Sequence, residues 1–99
     1  MATKKRKETY APFDAADYLR DEQDMIAYLE AVMEDGSATE IAAALGVVAR
    51  AYGMVRLSQE TGLARPGLYR ALAADGNPSL DTVLRVLKAL GMRITPKAA

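Results

Sequence analysis

The stretch that decides the fold is VRLSQETGLARPGLYRAL, which runs from Val55 to Leu72. A short helix of VRLSQET precedes Gly62, and a second helix begins near Arg65. Gly62 suits a left-handed turn, because that backbone conformation is strained in residues that carry a Cβ atom. The apolar contacts between the two helices come from Leu57, Leu63, Leu68 and Leu72. The spacing therefore predicts a helix-turn-helix, in which the second helix enters the major groove of DNA.

Capping residues and turn signals divide the rest of the chain into further helices. A first helical turn is expected at Asp14, and longer helices are predicted over residues 21–36, 37–53 and 79–91. Each of these three has an Asp or Ser as its N-cap and a Gly at its end. Residues 92–95 alternate apolar and polar, which favours one short edge strand. We therefore expect an all-α fold of about five short helices, with at most this one short C-terminal strand.

Apolar residues recur at the helical period in all three of these segments. In the helix over 21–36 they are Met25, Ile26, Leu29, Val32 and Met33. The next helix opens with a Ser37–Glu40 capping box and carries Ile41, Leu45, Val48 and Tyr52 on one side. On the last helix, the residues expected to point inward are Leu80, Val83, Leu84, Leu87 and Leu90.

The composition excludes several kinds of chemistry. The chain has 99 residues, 51% of them hydrophobic, with no cysteine and no histidine. Disulfides, thiolate or imidazole metal sites and Ser-His triads are therefore unavailable. With no phosphate-binding loop either, we expect no enzyme activity, no metal and no cofactor. No apolar run reaches the length of a membrane span and no signal peptide is visible, which predicts a cytoplasmic protein outside the membrane.

The net charge of zero hides a strong asymmetry along the chain. Residues 1–7 hold four cations, residues 8–40 hold ten acids against one base, and residues 41–99 hold eight bases against three acids. We predict a flexible basic tail over residues 1–12 and a single domain over 13–99, whose first part (13–36) is an acidic helical extension. The basic part suits DNA phosphates, whereas the acidic part suits a cationic partner.

Four strings follow one another between about Phe13 and Thr95, namely FDAADYL, IAAALGVVARAYGM, LSQETGLARPGLYRAL and DGNPSLDTVLRVLKALGMRI. In these strings and their order the chain resembles the probable addiction-module antidote family. The family comprises small HigA-like antitoxins with a lambda-repressor-like (Xre/Cro-type) helix-turn-helix. The resemblance implies a type II toxin–antitoxin system. In such a system the antitoxin neutralises a small basic RelE/HigB-like toxin and represses its own operon by binding double-stranded DNA, usually as a homodimer.

The candidate DNA-binding residues lie on and around the second helix of the motif. With Leu68 and Leu72 directed to the core, the outward residues are Arg65, Pro66, Tyr69 and Arg70. Either arginine has the chemistry to pair with guanine or to contact phosphate only. Further polar candidates near the DNA backbone are Ser58, Gln59 and Asn77. For Ser58 we favour a small packing role, and Asn77 serves equally well as a turn former before Pro78.

The start of the second helix departs from the usual pattern of the motif. Ala64 stands where a serine often caps this helix, and its side chain accepts no hydrogen bond. Pro66 and Gly67 also leave few side chains to read bases. The strength and the sequence preference of DNA binding therefore rest on Arg65, Tyr69 and Arg70.

The acidic third supplies the candidate toxin contacts that the resemblance implies. They are Asp14, Asp17, Glu22, Asp24, Glu30 and Glu34. The alternative is a solvated acidic face that only complements the helix dipole. The candidates for a dimer interface are Tyr10, Leu90, Met92 and Ile94, unless these residues only cover the core of their own domain. The cations over residues 4–7 form either a DNA-contacting arm or a solubility tail, and we favour the tail.

Three functions are compatible with these observations. The leading hypothesis is a DNA-binding antitoxin, which the acidic extension favours because DNA binding does not need it. The second is a stand-alone Xre-type transcriptional regulator without a toxin partner. The third is a toxin-binding protein that has lost DNA affinity, which the Pro66-Gly67 pair and the neutral net charge keep open.

Overall fold

The computed structural model describes residues 14–99, and within them the chain is all-helical. A short 3₁₀ helix, Ala15–Tyr18, precedes five α-helices. The bounds are α1 Glu22–Asp35, α2 Ala38–Tyr52, α3 Met54–Thr61, α4 Arg65–Ala71 and α5 Leu80–Ala89. This confirms the predicted fold class. The predicted tail over residues 1–12, including the dimer candidate Tyr10, lies outside the described residues.

The predicted caps begin the helices where expected. The Asp14 carboxylate accepts from the Ala16 N–H at 3.0 Å and starts the 3₁₀ helix. Asp21 caps α1 by accepting from the Asp24 N–H at 2.9 Å. Ser37 and Glu40 form the reciprocal capping box of α2, at 3.2 and 2.8 Å. These boundaries follow from local hydrogen bonds, which is why the sequence pattern predicts them.

The predicted strand over residues 92–95 is wrong, because no strand is present in the described part of the chain. A strand needs a neighbouring strand to take its backbone hydrogen bonds, and residues 14–99 offer none. Instead, Gly91 adopts a left-handed conformation (φ 77°) beyond the end of α5. The N–H groups of Gly91 and Met92 then donate to the carbonyls of Lys88 and Leu87, at 3.0 and 2.8 Å. Residues 91–92 therefore close α5 as a Schellman motif.

The core is built around α2 and receives side chains from all five helices. Its most deeply buried large side chains are Leu45, Val48, Leu57, Leu68 and Val86. Gly46 marks a close approach of α2 to the end of α4. A Cβ atom at this position would lie well inside 3.0 Å of the Leu72 carbonyl oxygen.

The prediction for α5 is partly wrong. Leu80 and Leu84 were expected to point inward, yet they are 67% and 46% exposed. Val86, which was not among the predicted residues, is fully buried. The core contacts one stripe of α5, formed by Val83, Val86, Leu87 and Leu90. The predicted apolar face was wider than this stripe, so Leu80 and Leu84 remain at the surface.

On α1, only Met25 and Leu29 are fully buried, and Met33 is exposed at the edge of the apolar face. The 3₁₀ helix is joined to α2 by Arg50, which forms two hydrogen bonds with the Asp14 carboxylate at 3.0 and 3.1 Å. No single described helix is long and apolar enough to cross a membrane. The helices α2 and α3 reach that length and apolarity only together, and they bend by 101° at their break.

Candidate DNA-binding surface

The turn between α3 and α4 is held by one glycine and two hydroxyl side chains. Gly62 ends α3 in a left-handed conformation (φ 76°), and its N–H donates to the Ser58 carbonyl at 3.0 Å. The Ser58 hydroxyl donates to the Leu63 carbonyl at 2.7 Å. Thr61 accepts from the Leu63 N–H at 3.2 Å and donates to the Leu57 carbonyl at 2.8 Å. The angle between α3 and α4 is therefore set by specific bonds in addition to apolar packing.

Sequence reasoning found Gly62 but missed Thr61. The signal was available, since a threonine next to a helix-ending glycine can hydrogen-bond backbone groups in its own turn. The sequence favoured a small packing role for Ser58. The structure shows a second role, because the Ser58 hydroxyl donates a hydrogen bond to the Leu63 carbonyl.

One face of α4 packs inward and the other is open. Leu68 and Leu72 are buried, and Leu63 before the helix is half-buried. The residues predicted to face outward are all exposed, namely Arg65, Pro66, Tyr69 and Arg70. A Cβ atom added at Gly67 would have no neighbour within 4 Å. The structure therefore brings the four predicted residues together on the solvent side of one short helix.

The two arginines of α4 differ from most of the arginines elsewhere in the structure. Arg50, Arg56 and Arg85 are paired with the carboxylates of Asp14, Glu60 and Asp81. The guanidinium groups of Arg65 and Arg70 form no hydrogen bond or ion pair with another described residue. Their positive charges are therefore not neutralised by the described part of the chain and are available to an anionic partner.

The start of α4 has the uncapped geometry that the sequence predicts. Ala64 is the N-cap residue, with extended backbone (φ −65°, ψ 139°) and no side-chain hydrogen bond. Pro66 lies in the first turn, where its missing N–H removes one donor that would otherwise need a partner. The remaining N–H donors of this turn have no side-chain cap.

The other predicted DNA contacts surround α4. Gln59 is exposed on α3, and Asn77 is exposed in the loop between α4 and α5. Ser58 is only half-buried, although its proton is used within the turn. No hydrogen bond joins these three residues to one another or to the α4 arginines.

A polar cluster behind the turn ties α3 to α2 and α5. The Tyr52 hydroxyl hydrogen-bonds Glu60 and lies 3.3 Å from the Ala89 carbonyl. The Arg56 guanidinium stacks 4.2 Å from the centre of the Tyr52 ring. The hydrogen bond to Glu60, followed by burial, raises the pKa of Tyr52, while the Tyr52 hydroxyl and then Arg56 lower the pKa of Glu60. These interactions hold α3, and through it the turn, against the rest of the domain.

The six predicted toxin-contact acids do not form one cluster. The Asp14 carboxylate is engaged by Arg50, which is the main reason that its pKa is lowered. Asp24 accepts from the Arg20 N–H at 2.9 Å. Glu30 and Glu34 are exposed one turn apart on α1, and they share a face. Asp17 and Glu22 are exposed on separate elements, the 3₁₀ helix and the first turn of α1.

The fold and the α3–turn–α4 geometry define a small all-helical domain that is compatible with the helix-turn-helix class. No group of three or more acidic side chains in residues 14–99 is placed to hold a metal ion. The chain belongs to the probable addiction module antidote protein family, whose model matches residues 9–98. An uncharacterized protein of Haemophilus influenzae strain Rd is 38% identical over 81 residues, which cover 82% of this chain and 84% of that protein. No solved structure matches the chain.

Family membership assigns the protein to the antidotes of addiction modules, that is, to antitoxins rather than enzymes. An antidote acts on a toxin, so the family also implies a toxin partner in general terms.

Proposed function

We propose that this protein is the antitoxin of a type II toxin–antitoxin system. It binds and neutralises a RelE/HigB-like toxin and represses its own operon by binding double-stranded DNA. The observation that carries the DNA-binding half is the exposed face of α4, where Arg65 and Arg70 have no acidic partner among the described residues. Such a face, held on a rigid turn, suits a helix that enters the major groove.

The chemistry of this face favours a few strong contacts. A guanidinium group pairs with O6 and N7 of guanine in a bidentate geometry, and Arg65 and Arg70 are the candidates for this contact. Tyr69, 45% exposed beside them, packs against a thymine methyl group or donates to a phosphate. Pro66 and Gly67 add little bulk, so the backbone of α4 approaches the DNA closely. Gln59 and Asn77, with Ser58 as an acceptor, are proposed to contact phosphates and set the register.

The same proposal includes a homodimer, because helix-turn-helix repressors read two half-sites about 34 Å apart with two copies of the helix. An exposed apolar surface supports it. Leu80, Leu84 and Ile94 are exposed, and a groove of about 230 Å³ between α1 and the end of α5 is lined by residues that include Ile26, Met33, Leu87 and Met92. Of the sequence candidates, Met92 lines this groove and Ile94 is exposed, whereas Leu90 is buried in the core.

The DNA-binding half is tested by gel shift or fluorescence anisotropy on the DNA upstream of the gene, beside random DNA of equal length. Arg65→Ala is expected to weaken binding to the upstream DNA by about 1–3 kcal/mol and to relax the preference at one base pair. Arg85→Ala, which removes an ion-paired arginine of α5, is the matched control and should have little effect. Equal losses on both DNAs would reduce Arg65 to a phosphate contact. If neither Arg65→Ala nor Arg70→Ala weakens DNA binding, the assignment of α4 as the DNA-contacting helix is refuted.

The toxin-binding half has a separate test. Co-expression with the small protein encoded beside this gene should yield a stable complex and relieve growth arrest. A protein that binds the upstream DNA but no neighbouring gene product would instead be a stand-alone regulator.

A further inference from the structure

A groove between α1 and α2 has no lining residue in common with the candidate DNA-binding surface. Its volume is about 360 Å³, well above the cavity of about 150 Å³ that holds a benzene ring in an engineered protein. On α1 it is lined by Tyr28, Val32 and Asp35, and on α2 by residues that include Glu40, Ala43 and Val47. Both sets follow the i, i+3 or i+4, i+7 spacing of one helical stripe. The groove is therefore a continuous strip between two packed helices, with room for more than one large apolar side chain.

The walls of the groove are apolar and its charged residues are acidic. Val32, Ala43 and Val47 are half-buried, whereas Asp35 and Glu40 are exposed. The Asp35 carboxylate has no hydrogen-bond partner among the described residues, and Glu40 accepts from the Ser37 N–H at 2.8 Å with one carboxylate oxygen. No lysine or arginine lines the groove. Arg50, farther along α2, is neutralised by Asp14.

The position of Asp35 is not explained by helix stability. A helix C-terminus carries partial negative charge, and carboxylates there are unfavourable. Nevertheless α1 ends in Glu34-Asp35 and has no basic residue in its last turn. These acids lower the stability of α1, so they are better explained by a partner of opposite charge.

We propose that this groove is the docking site for the toxin and that it binds a cationic amphipathic helix of that protein. Apolar side chains of the toxin helix fill the strip over Val32 and Val47, and its lysines or arginines pair with Asp35 and Glu40. This is helix-in-groove recognition with complementary charge at the rim. The inference rests on the proposed antitoxin function and specifies where the toxin binds. No residue of α3 or α4 lines the groove, so the proposed toxin site and the candidate DNA-binding surface use different residues.

The test measures binding of the purified protein encoded beside this gene, at low and at high ionic strength. One pair of variants changes charge at the rim. Asp35→Asn with Glu40→Gln removes two negative charges and keeps the capping box, since glutamine also serves there. Glu30→Gln with Glu34→Gln removes two charges from α1 outside this groove, although Glu30 lines the second groove, between α1 and α5. The first double variant should bind about tenfold more weakly at low salt, because each exposed ion pair contributes about threefold. The second should change affinity less than about twofold, and high salt should reduce both effects.

A second pair of variants changes the groove itself. Ala43→Arg places a bulky cation in the strip, whereas Ala27→Arg adds the same charge on an exposed site of α1 outside it. Ala43→Arg should weaken binding at least about tenfold at both ionic strengths, because steric exclusion and like charge act together. Circular dichroism verifies that both variants fold.

The possible failures are distinguishable. If the wild-type protein binds no neighbouring gene product, the antitoxin function itself is refuted. If the wild type binds and Ala43→Arg binds as tightly as Ala27→Arg, only the groove assignment is refuted. If the Glu30/Glu34 variant loses more affinity than the Asp35/Glu40 variant, the toxin binds the face of α1 that carries Glu30 and Glu34 instead.

Discussion

Two glycines inside helices allow one matched test of the packing. Gly46 lies in α2 and is buried, whereas Gly67 lies in α4 and is exposed. A Cβ atom at Gly46 would overlap the Leu72 carbonyl oxygen and would lie 3.4 Å from the carbonyl carbon. These are backbone atoms at the end of α4, so they cannot move aside as a flexible side chain would. At Gly67 the same atom meets nothing within 4 Å.

The expected magnitudes follow from two opposing effects. Replacing a helix-interior glycine with alanine stabilises a helix by about 1 kcal/mol, and this value is the upper limit for Gly67→Ala, which lies in the first turn of α4. Overpacking a core costs about 1–3 kcal/mol. Because the helix gain of about 1 kcal/mol offsets part of this cost, the Gly46→Ala variant should lose up to about 2 kcal/mol of stability. The two variants should therefore differ by about 1–3 kcal/mol in the free energy of unfolding. In a domain of this size, each kcal/mol corresponds to about 4–8 °C in Tm.

Thermal and urea unfolding followed by circular dichroism measures this difference directly. Gly46→Ala should also weaken DNA binding, because the carbonyl it displaces belongs to the residue that ends α4. Equal Tm values for the two variants would refute the reasoning, since they would show that the approach of α2 to α4 has room for a methyl group. A Gly46→Ala variant more stable than Gly67→Ala would contradict it further.

Three further predictions concern single contacts. Arg50 lowers the pKa of Asp14, so this carboxylate stabilises the fold above its unfolded pKa of about 3.9, and the stabilisation is lost as the pH falls through its lower folded pKa. Asp14→Asn should therefore lower Tm at neutral pH and reduce the decline of Tm in acid. A decline of Tm in acid equal to that of the wild type would contradict this. Ser58→Ala should lower stability by about 1 kcal/mol in urea unfolding, because the Leu63 carbonyl loses its donor, and a neutral result would mean that water replaces it. Leu84→Lys should convert the proposed dimer to monomer in analytical ultracentrifugation while circular dichroism still shows a folded helical chain, because this side chain is 46% exposed, and a persistent dimer would exclude Leu84 from the interface.

Much of the fold and of the candidate DNA-binding surface was predictable because it depends on local chemistry. Gly62 occupies a left-handed turn, Asp21 and Ser37 cap helices, and Leu68 and Leu72 are buried. Each of these features is decided within about one helical turn of the residue concerned. The outward placement of the α4 arginines follows from the same periodicity. Thr61 was missed although its hydrogen bonds are equally local.

The charge pattern also revealed the acidic region of the chain, but not its geometry. Acids of the same N-terminal region make different contacts in the fold. Asp14 pairs with Arg50, whereas Asp24 accepts a hydrogen bond from the Arg20 N–H. The Asp14–Arg50 pair joins residues 36 positions apart, and no periodicity reveals such a contact. The groove between α1 and α2 likewise exists only once the two helices have packed.

The sequence by itself determined the all-helical class, the order and caps of the helices, the α3–α4 turn and the solvent-facing side of α4. These features arise from interactions between residues a few positions apart. Only the tertiary structure decided that Leu80 and Leu84 remain exposed, that residues 91–92 close α5 instead of starting a strand, and that Gly46 lies against the end of α4. Those outcomes depend on how much of each helix its neighbours cover, and distant parts of the chain set that coverage.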